Sequence, residues 1–198
     1  MSPCVGRHTV HAMGVTAVRR ATVQDAPTLA ALHRVTWRAA YSALLPPGTL
    51  DELDTPQLEQ AWAATVEGGV TVLIATEGAD PVGFVVAGPA PEDDVAAADG
   101  TMPPDAAHTV LVSTLLVEPR WARRGHGGRL LAAAATVLRE AGAARGIAWV
   151  PAEDPASLNF YRHAGWAPDG TVRTLDANGR ALREIRVTGP LDFALAGE

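Results

Sequence analysis

Thr114 to Ala135, TLLVEPRWARRGHGGRLLAAAA, constrains this chain more than any other stretch. An apolar run, a turn rich in glycine and arginine, and a stripe of leucine and alanine follow one another without a gap. That order specifies a buried strand running into the first turns of an amphipathic helix. A helix start leaves backbone N–H groups unbonded and carries the positive end of the dipole, so the turn is built to receive an anion. A phosphorylated ligand is the expected occupant. The turn lacks the GxxxxGK[ST] pattern of a Walker A loop and does not match GxGxxG.

The rest of the chain supplies the elements around it. Val15–Ala21 reads as a first strand, and Asp25 with Pro27 opens a helix carrying Leu29, Leu32, His33, Thr36, Trp37, Ala40 and Tyr41 at helical spacing. His33, Trp37 and Tyr41 share one face of it. They either pack on the sheet or wall a substrate pocket. Thr55-Pro56 starts a second helix that Gly68-Gly69 stops. Val70–Thr76 and Val82–Ala87 form a hairpin, and His108–Val117, apolar on both faces, is the expected central strand. Ile147–Val150 is a further buried strand. Asp154-Pro155 caps a short helix bearing Leu158, Phe160 and Tyr161, which ends at Gly165. Thr171–Leu175 and Leu182–Val187 close the chain as two strands. The fold class is therefore α/β with a mixed sheet flanked by helices, not a regular βαβ repeat.

Between the hairpin and the central strand lies Gly88–Ala107, holding Glu92, Asp93, Asp94, Asp99 and Asp105 and no basic residue. It reads as a solvated insertion or as an acidic lid drawing a cationic substrate.

With 198 residues the chain is long enough for one sizeable core, so residues 15–198 are expected to be a single domain behind a tail, 1–14. Met13 is an alternative start. A net charge of −6 argues against general nucleic-acid binding, and no apolar run is long enough to span a membrane. All 16 basic residues are arginine, which reads as genome composition. The lone cysteine, Cys4, cannot form an internal disulfide and points to a reducing cytoplasm. Cys4, His8 and His11 lack a second cluster to close a metal site, so no metal is expected.

Pro119–Leu131, PRWARRGHGGRLL, resembles the acetyl-CoA loop of the GCN5-related N-acetyltransferases (GNAT), [Q/R]xxGx[G/A], with Gly125 and Gly127 at the small positions. Ala122 falls where glutamine or arginine leads that motif, and Arg123 and Arg124 stand beside it. Glu153–Trp166, EDPASLNFYRHAGW, is similar to the family's N-x-x-A-x-x-F-Y…GF element, with Asp154 for Asn and Ser157 for Ala. TWRAAYSALLP resembles a bacterial branch of the family whose substrates are mostly unassigned.

The resemblance implies an acyl-CoA N-acyltransferase fold and an acetyl-CoA cosubstrate. Leu116 and Val117 would splay from the neighbouring strand and bind pantetheine. Arg123, Arg124, Gly125, His126, Gly127 and Gly128 would hold the pyrophosphate, with His126 facing solvent or phosphate. Asp154 and Ser157 would complete the cofactor side. Tyr161 is the expected general acid, because a phenol can protonate a departing thiolate. The acceptor is expected to be a small-molecule amine, with His33, Trp37 and Tyr41 lining its pocket; a protein or peptide amine, or a CoA sensor with little catalysis, are the alternatives. The position at which family members often carry a glutamate base is Leu111, leaving Glu118, Glu153, His33 and His108 as candidates, with Glu118 carried forward. The family also makes a homodimer a reasonable assembly.

Overall fold

The computed structural model describes residues 15–42, 50, 53, 56–177 and 179–192. Its frame is a seven-stranded sheet in the order β1-β2-β3-β4-β5-β7-β6. The strands are β1 (Thr16–Arg20), β2 (Thr71–Glu77), β3 (Asp80–Pro89), β4 (Thr109–Val117), β5 (Arg145–Pro151), β6 (Ala167–Ala177) and β7 (Arg180–Pro190). The helices are α1 (Ala26–Tyr41), α2 (Pro56–Glu67), the single turn α3 (Glu92–Val95), α4 (His126–Glu140) and α5 (Pro155–His163). Every pairing is antiparallel except β4 with β5.

Alternation along β2 and β3 sorts the core into two layers. Leu73, Ala75, Val85 and Ala87 pack with Leu130, Leu131, Ala134 and Leu138 of α4. Val72, Ile74, Phe84 and Val86 face the other way, onto Leu29 and Ala30 of α1 and Trp62 of α2. In β4 the alternation changes phase. Val112 pairs with Ala87 and Thr114 with Val86, so Ser113 is an extra residue opposite none. This β-bulge keeps Val110 and Val112 on the α4 face yet turns Leu116 to the α1 face. A strand apolar on both sides hides such a flip.

The parallel ladder between β4 and β5 is short, joining only Thr109, Val110 and Leu111 to Arg145, Gly146 and Ile147. Beyond Leu111 the strands part, although β5 stays paired with β7 along its whole length. The closed end is fastened by Arg145, which donates to both carboxylate oxygens of Asp105 (2.6 and 2.9 Å) and to the hydroxyls of Thr109 (2.9 Å) and Thr188 (3.2 Å). The opening thus begins earlier than Leu116–Val117, where the family resemblance put it.

The acidic stretch 88–107 is largely exposed but tied to the sheet at two of its carboxylates. Asp105 is the counter-ion of Arg145, and Asp94 pairs with Arg173 (2.9 Å) and accepts from the indole N–H of Trp149 (2.8 Å). Arg186 donates to the carbonyls of Asp94 and Ala96, both 2.7 Å, tying the stretch to β7. The final two strands are longer than their sequence pattern suggests, since the register shift between Pro168 and Val172 breaks the alternation that marks a strand. No helix among the described residues is long and apolar enough to cross a membrane.

Candidate active site

The turn between β4 and α4 is wound tightly. Gly125, at the helix N-cap, has φ of 80°, and Arg123 has φ of 62°, the only non-glycine among the described residues on that side of the map. A left-handed arginine costs about 1–3 kcal/mol. His126, Gly127 and Gly128, in the first turn, where helix amides lack helical partners, all border one concavity. That cleft, of about 810 Å³, is bordered by Ala122, Arg123, Gly125 to Gly128, Leu115 and Val117 on one side and Ala156, Ser157, Asn159, Phe160 and Tyr161 on the other. At Gly127 a Cβ would lie a tight 3.2 Å from the Phe160 ring.

Two loop residues do not face the cleft with their charge. His126 is only 2% exposed, and its Nε2 lies 2.9 Å from Oε2 of Glu77, at the end of β2. Arg124 donates to the other oxygen of Glu77 at 3.1 Å and lies over the Trp121 ring, 4.8 Å from its centroid. The expectation that His126 faces solvent is corrected, whereas Arg124 stays half-exposed and shares its charge with Glu77. Glu77 holds the buried His126 ring and the half-exposed Arg124 side chain and anchors the loop from behind. Only the backbone of His126 and the exposed Arg123 remain at the cleft.

Past the point where β4 and β5 part, a second cavity of about 150 Å³ lies between them. Val112 to Leu116 form one wall and Trp149 to Pro151 the other, and Trp37, Tyr41, Leu182 and Glu184 close the far side. Leu115, Ser157 and Tyr161 border both this cavity and the long cleft. Helix α5 sets the last two. Asp154 caps it by accepting from the Ser157 amide at 3.0 Å and the Ser157 hydroxyl at 2.6 Å, and Pro155 occupies its first turn. Gly165, with φ of 80°, ends it, and the Trp166 amide returns to the Tyr161 carbonyl at 2.9 Å.

Tyr161 is 6% exposed and stacks on Trp166 at 5.2 Å and 24°. Trp166 itself is 1% exposed, donates its indole N–H to the Pro190 carbonyl at 3.0 Å, and lies against Gly146 and Gly189, where any Cβ would overlap its ring. Burial pushes the Tyr161 phenol well above the usual value, with a further contribution from Tyr41. Tyr41 is raised to about 12, by burial first and then by the negative charges of Asp154 and Glu184. Both phenols therefore stay protonated through the neutral range.

Of the expected acceptor-pocket residues, Trp37 and Tyr41 line the cavity but His33 does not. His33 sits between Trp37 (4.7 Å) and Trp62 (5.6 Å), and burial lowers it to about 4. Nor does the expected base hold its place. Glu118 receives the Arg120 guanidinium at 2.6 Å and borders none of the three cavities at the splay. His108 bonds to the Gly142 carbonyl at 3.0 Å, at the far end of β4. Leu116, Val117, Glu153 and Asp154 border a third cleft, of about 360 Å³, beside Tyr41. Cys4, His8 and His11 fall outside the described residues.

Glu77 and Glu184 were missed by sequence reasoning. Glu77 acts across a separation of 49 residues, which no local pattern records. Glu184 left a signal. Leu182, Glu184 and Arg186 share the period-two face of β7, so two charges stand where that face should be apolar.

The family model described as the acetyltransferase (GNAT) family matches residues 31–166. A Mycobacterium tuberculosis protein named a probable N-acetyltransferase is 29% identical over 160 residues, covering 79% of this chain and 83% of its own. An uncharacterized N-acetyltransferase of Bacillus subtilis is 28% identical over 174 residues, 87% of this chain and 92% of its own. Among solved structures, the PaiA N-acetyltransferase from Thermoplasma acidophilum in complex with coenzyme A shares the fold with a TM-score of 0.66 at 13% identity, over 89% of this chain and 99% of that one. The yncA protein from Salmonella typhimurium, with its cofactor acetyl-CoA, does so with a TM-score of 0.65 at 18% identity, over 93% and 98%. The phosphate turn, the parted strands and the family match agree: this chain belongs to the acetyltransferase (GNAT) family and is an acetyl-CoA-dependent acyltransferase.

Proposed function

We propose that the chain moves the acetyl group of acetyl-CoA directly to a primary amine of a small molecule, with Tyr161 as general acid and residues 15–198 as one catalytic domain. The pyrophosphate takes the amides of His126, Gly127 and Gly128 and the Arg123 side chain, and pantetheine runs along Leu115 and Val117. The thioester then reaches the gap between β4 and β5.

The observation that carries this reading is the position of Tyr161. Of the three residues bordering both cavity and cleft, Leu115 has no polar group and the Ser157 hydroxyl is spent on Asp154. The phenol is left as the donor at the junction. The neutral amine attacks the thioester carbon, the C–S bond breaks, and Tyr161 protonates the thiolate. The proton shed by the new amide nitrogen returns to the phenolate. A phenol raised by burial is a weaker acid, but the thiolate leaves inside the same cleft, where desolvation raises its own affinity for a proton.

Incubation with acetyl-CoA and a panel of primary amines, following thiol release and the mass of the acetylated product, tests this reading. Direct transfer predicts intersecting double-reciprocal lines. Parallel lines would indicate an acyl-enzyme, and acetyl-CoA binding without release against any amine would reduce the chain to a CoA sensor.

A further inference from the structure

The small cavity has an uneven electrostatic character that the transfer reading does not use. Among the described residues bordering it, Glu184 is the only carboxylate, and none is a cation. Its neighbours there are largely apolar or aromatic: Trp37, Tyr41, Trp149, Leu182 and Tyr161. Glu184 is 9% exposed, so its charge is mostly removed from water and requires compensation.

The structure supplies only part of that compensation. Arg173 gives its Nε to Glu184 at 2.6 Å but its NH1 to Asp94 at 2.9 Å. One guanidinium is shared by two carboxylates, leaving the trio one net negative charge. Arg173 is held there by the Trp149 face, 4.2 Å below it. The nearby Arg186 is committed to Asp169 at 2.7 Å and to two main-chain carbonyls. The negative field reaches across the cavity, since Glu184 is one of the charges that hold up the Tyr41 phenol.

We propose that Glu184 recognises the acceptor as an ammonium, which passes one proton to solvent water before the neutral amine attacks; this makes the acceptor a small, apolar-bodied primary amine without a carboxylate. The inference rests on the transfer reading above and adds the residue that selects the substrate. A cavity of this size admits a group about as large as benzene. The aromatic walls bury the body of the amine, and the nitrogen meets the partly compensated carboxylate of Glu184. A carboxylate on the same molecule would be repelled by that charge in a partly desolvated site.

The test compares n-butylamine with 4-aminobutanoate, which differs by a terminal carboxylate, using the full chain, acetyl-CoA and thiol release. Wild type should favour n-butylamine by roughly tenfold or more in kcat/KM. Glu184→Gln should lose about 10- to 100-fold in kcat/KM for n-butylamine, mostly through KM, and its preference should fall towards one. Its acetyl-CoA affinity should change less than about twofold. Glu184→Asp should keep the preference. A structural Glu184 would alter both amines alike, and an unchanged ratio in Glu184→Gln overturns the proposal. So does wild type that takes both amines equally, or that binds acetyl-CoA and acetylates neither. Wild type that fails to bind acetyl-CoA contradicts the underlying transfer reading instead.

Discussion

His33 permits a quantitative prediction, because both of its ring nitrogens are buried without a hydrogen-bond partner among the described residues. The imidazole is wedged edge-on between Trp37 and Trp62, and burial brings its pKa from 6.5 to about 4. The sign follows from linkage. A histidine whose folded pKa is lowered is tolerated only while neutral, so its contribution is intact above 6.5 and is lost as pH falls towards 4. At pH 5 the unfolded chain is almost fully protonated at this site and the folded chain is not. Going from pH 7 to pH 5 should therefore cost about 2 kcal/mol through His33 alone. For a chain of this size that is about 4–8 °C in Tm. The perturbation is His33→Phe, which keeps a ring between the two tryptophans and removes the titration. At pH 7 it should lie within about 1 kcal/mol of wild type, since the two unpaired nitrogens leave with it. Urea unfolding of both proteins at pH 7 and pH 5 gives the difference of differences, in which the other titrating groups cancel. Parallel losses in the two proteins would refute the assignment of His33 as a neutral, desolvated core residue.

Two further substitutions probe the surroundings of the site. Glu77→Gln removes the charge that pairs with His126 and Arg124 of the phosphate loop; KM for acetyl-CoA should rise by about 3- to 10-fold with kcat little changed, and Glu77→Asp should recover part of it. Equal acetyl-CoA affinities by calorimetry would remove Glu77 from the loop's support. Gly189→Ala places a methyl in the Trp166 ring. It should cost about 1–3 kcal/mol and lower Tm by several degrees, with a larger fall in activity than in acetyl-CoA affinity because Trp166 seats Tyr161. An alanine variant with wild-type stability would show that the ring can shift without cost.

The turns and caps around the long cleft were legible in the sequence because their determinants are local, whereas Glu77 behind the loop was not. Gly125 at a left-handed N-cap, Asp154 accepting from Ser157 three residues on, and Gly165 ending the helix each act within one turn. The acceptor side was not legible, because it is made by long-range pairing. The bulge at Ser113 changes the phase of a strand whose two faces are both apolar, and nothing in the composition of β4 marks the spot. Where β4 and β5 separate depends on Arg145 reaching Asp105 across 40 residues. The acidic stretch looked unpaired for want of a basic residue within it, yet its partners, Arg145, Arg173 and Arg186, come from strands elsewhere in the chain. His33, Trp37 and Tyr41 share a helix face, and only the packing of Trp62 separates the first from the other two.

Tyr161→Phe tests the central claim most directly. The phenylalanine ring keeps the stack on Trp166 and removes only the phenolic oxygen. Acetyl-CoA affinity by calorimetry should stay within about twofold, while kcat for thiol release with a primary amine that the wild type acetylates should fall by about 100-fold or more. A variant that binds acetyl-CoA normally and turns over at the wild-type rate would contradict the account.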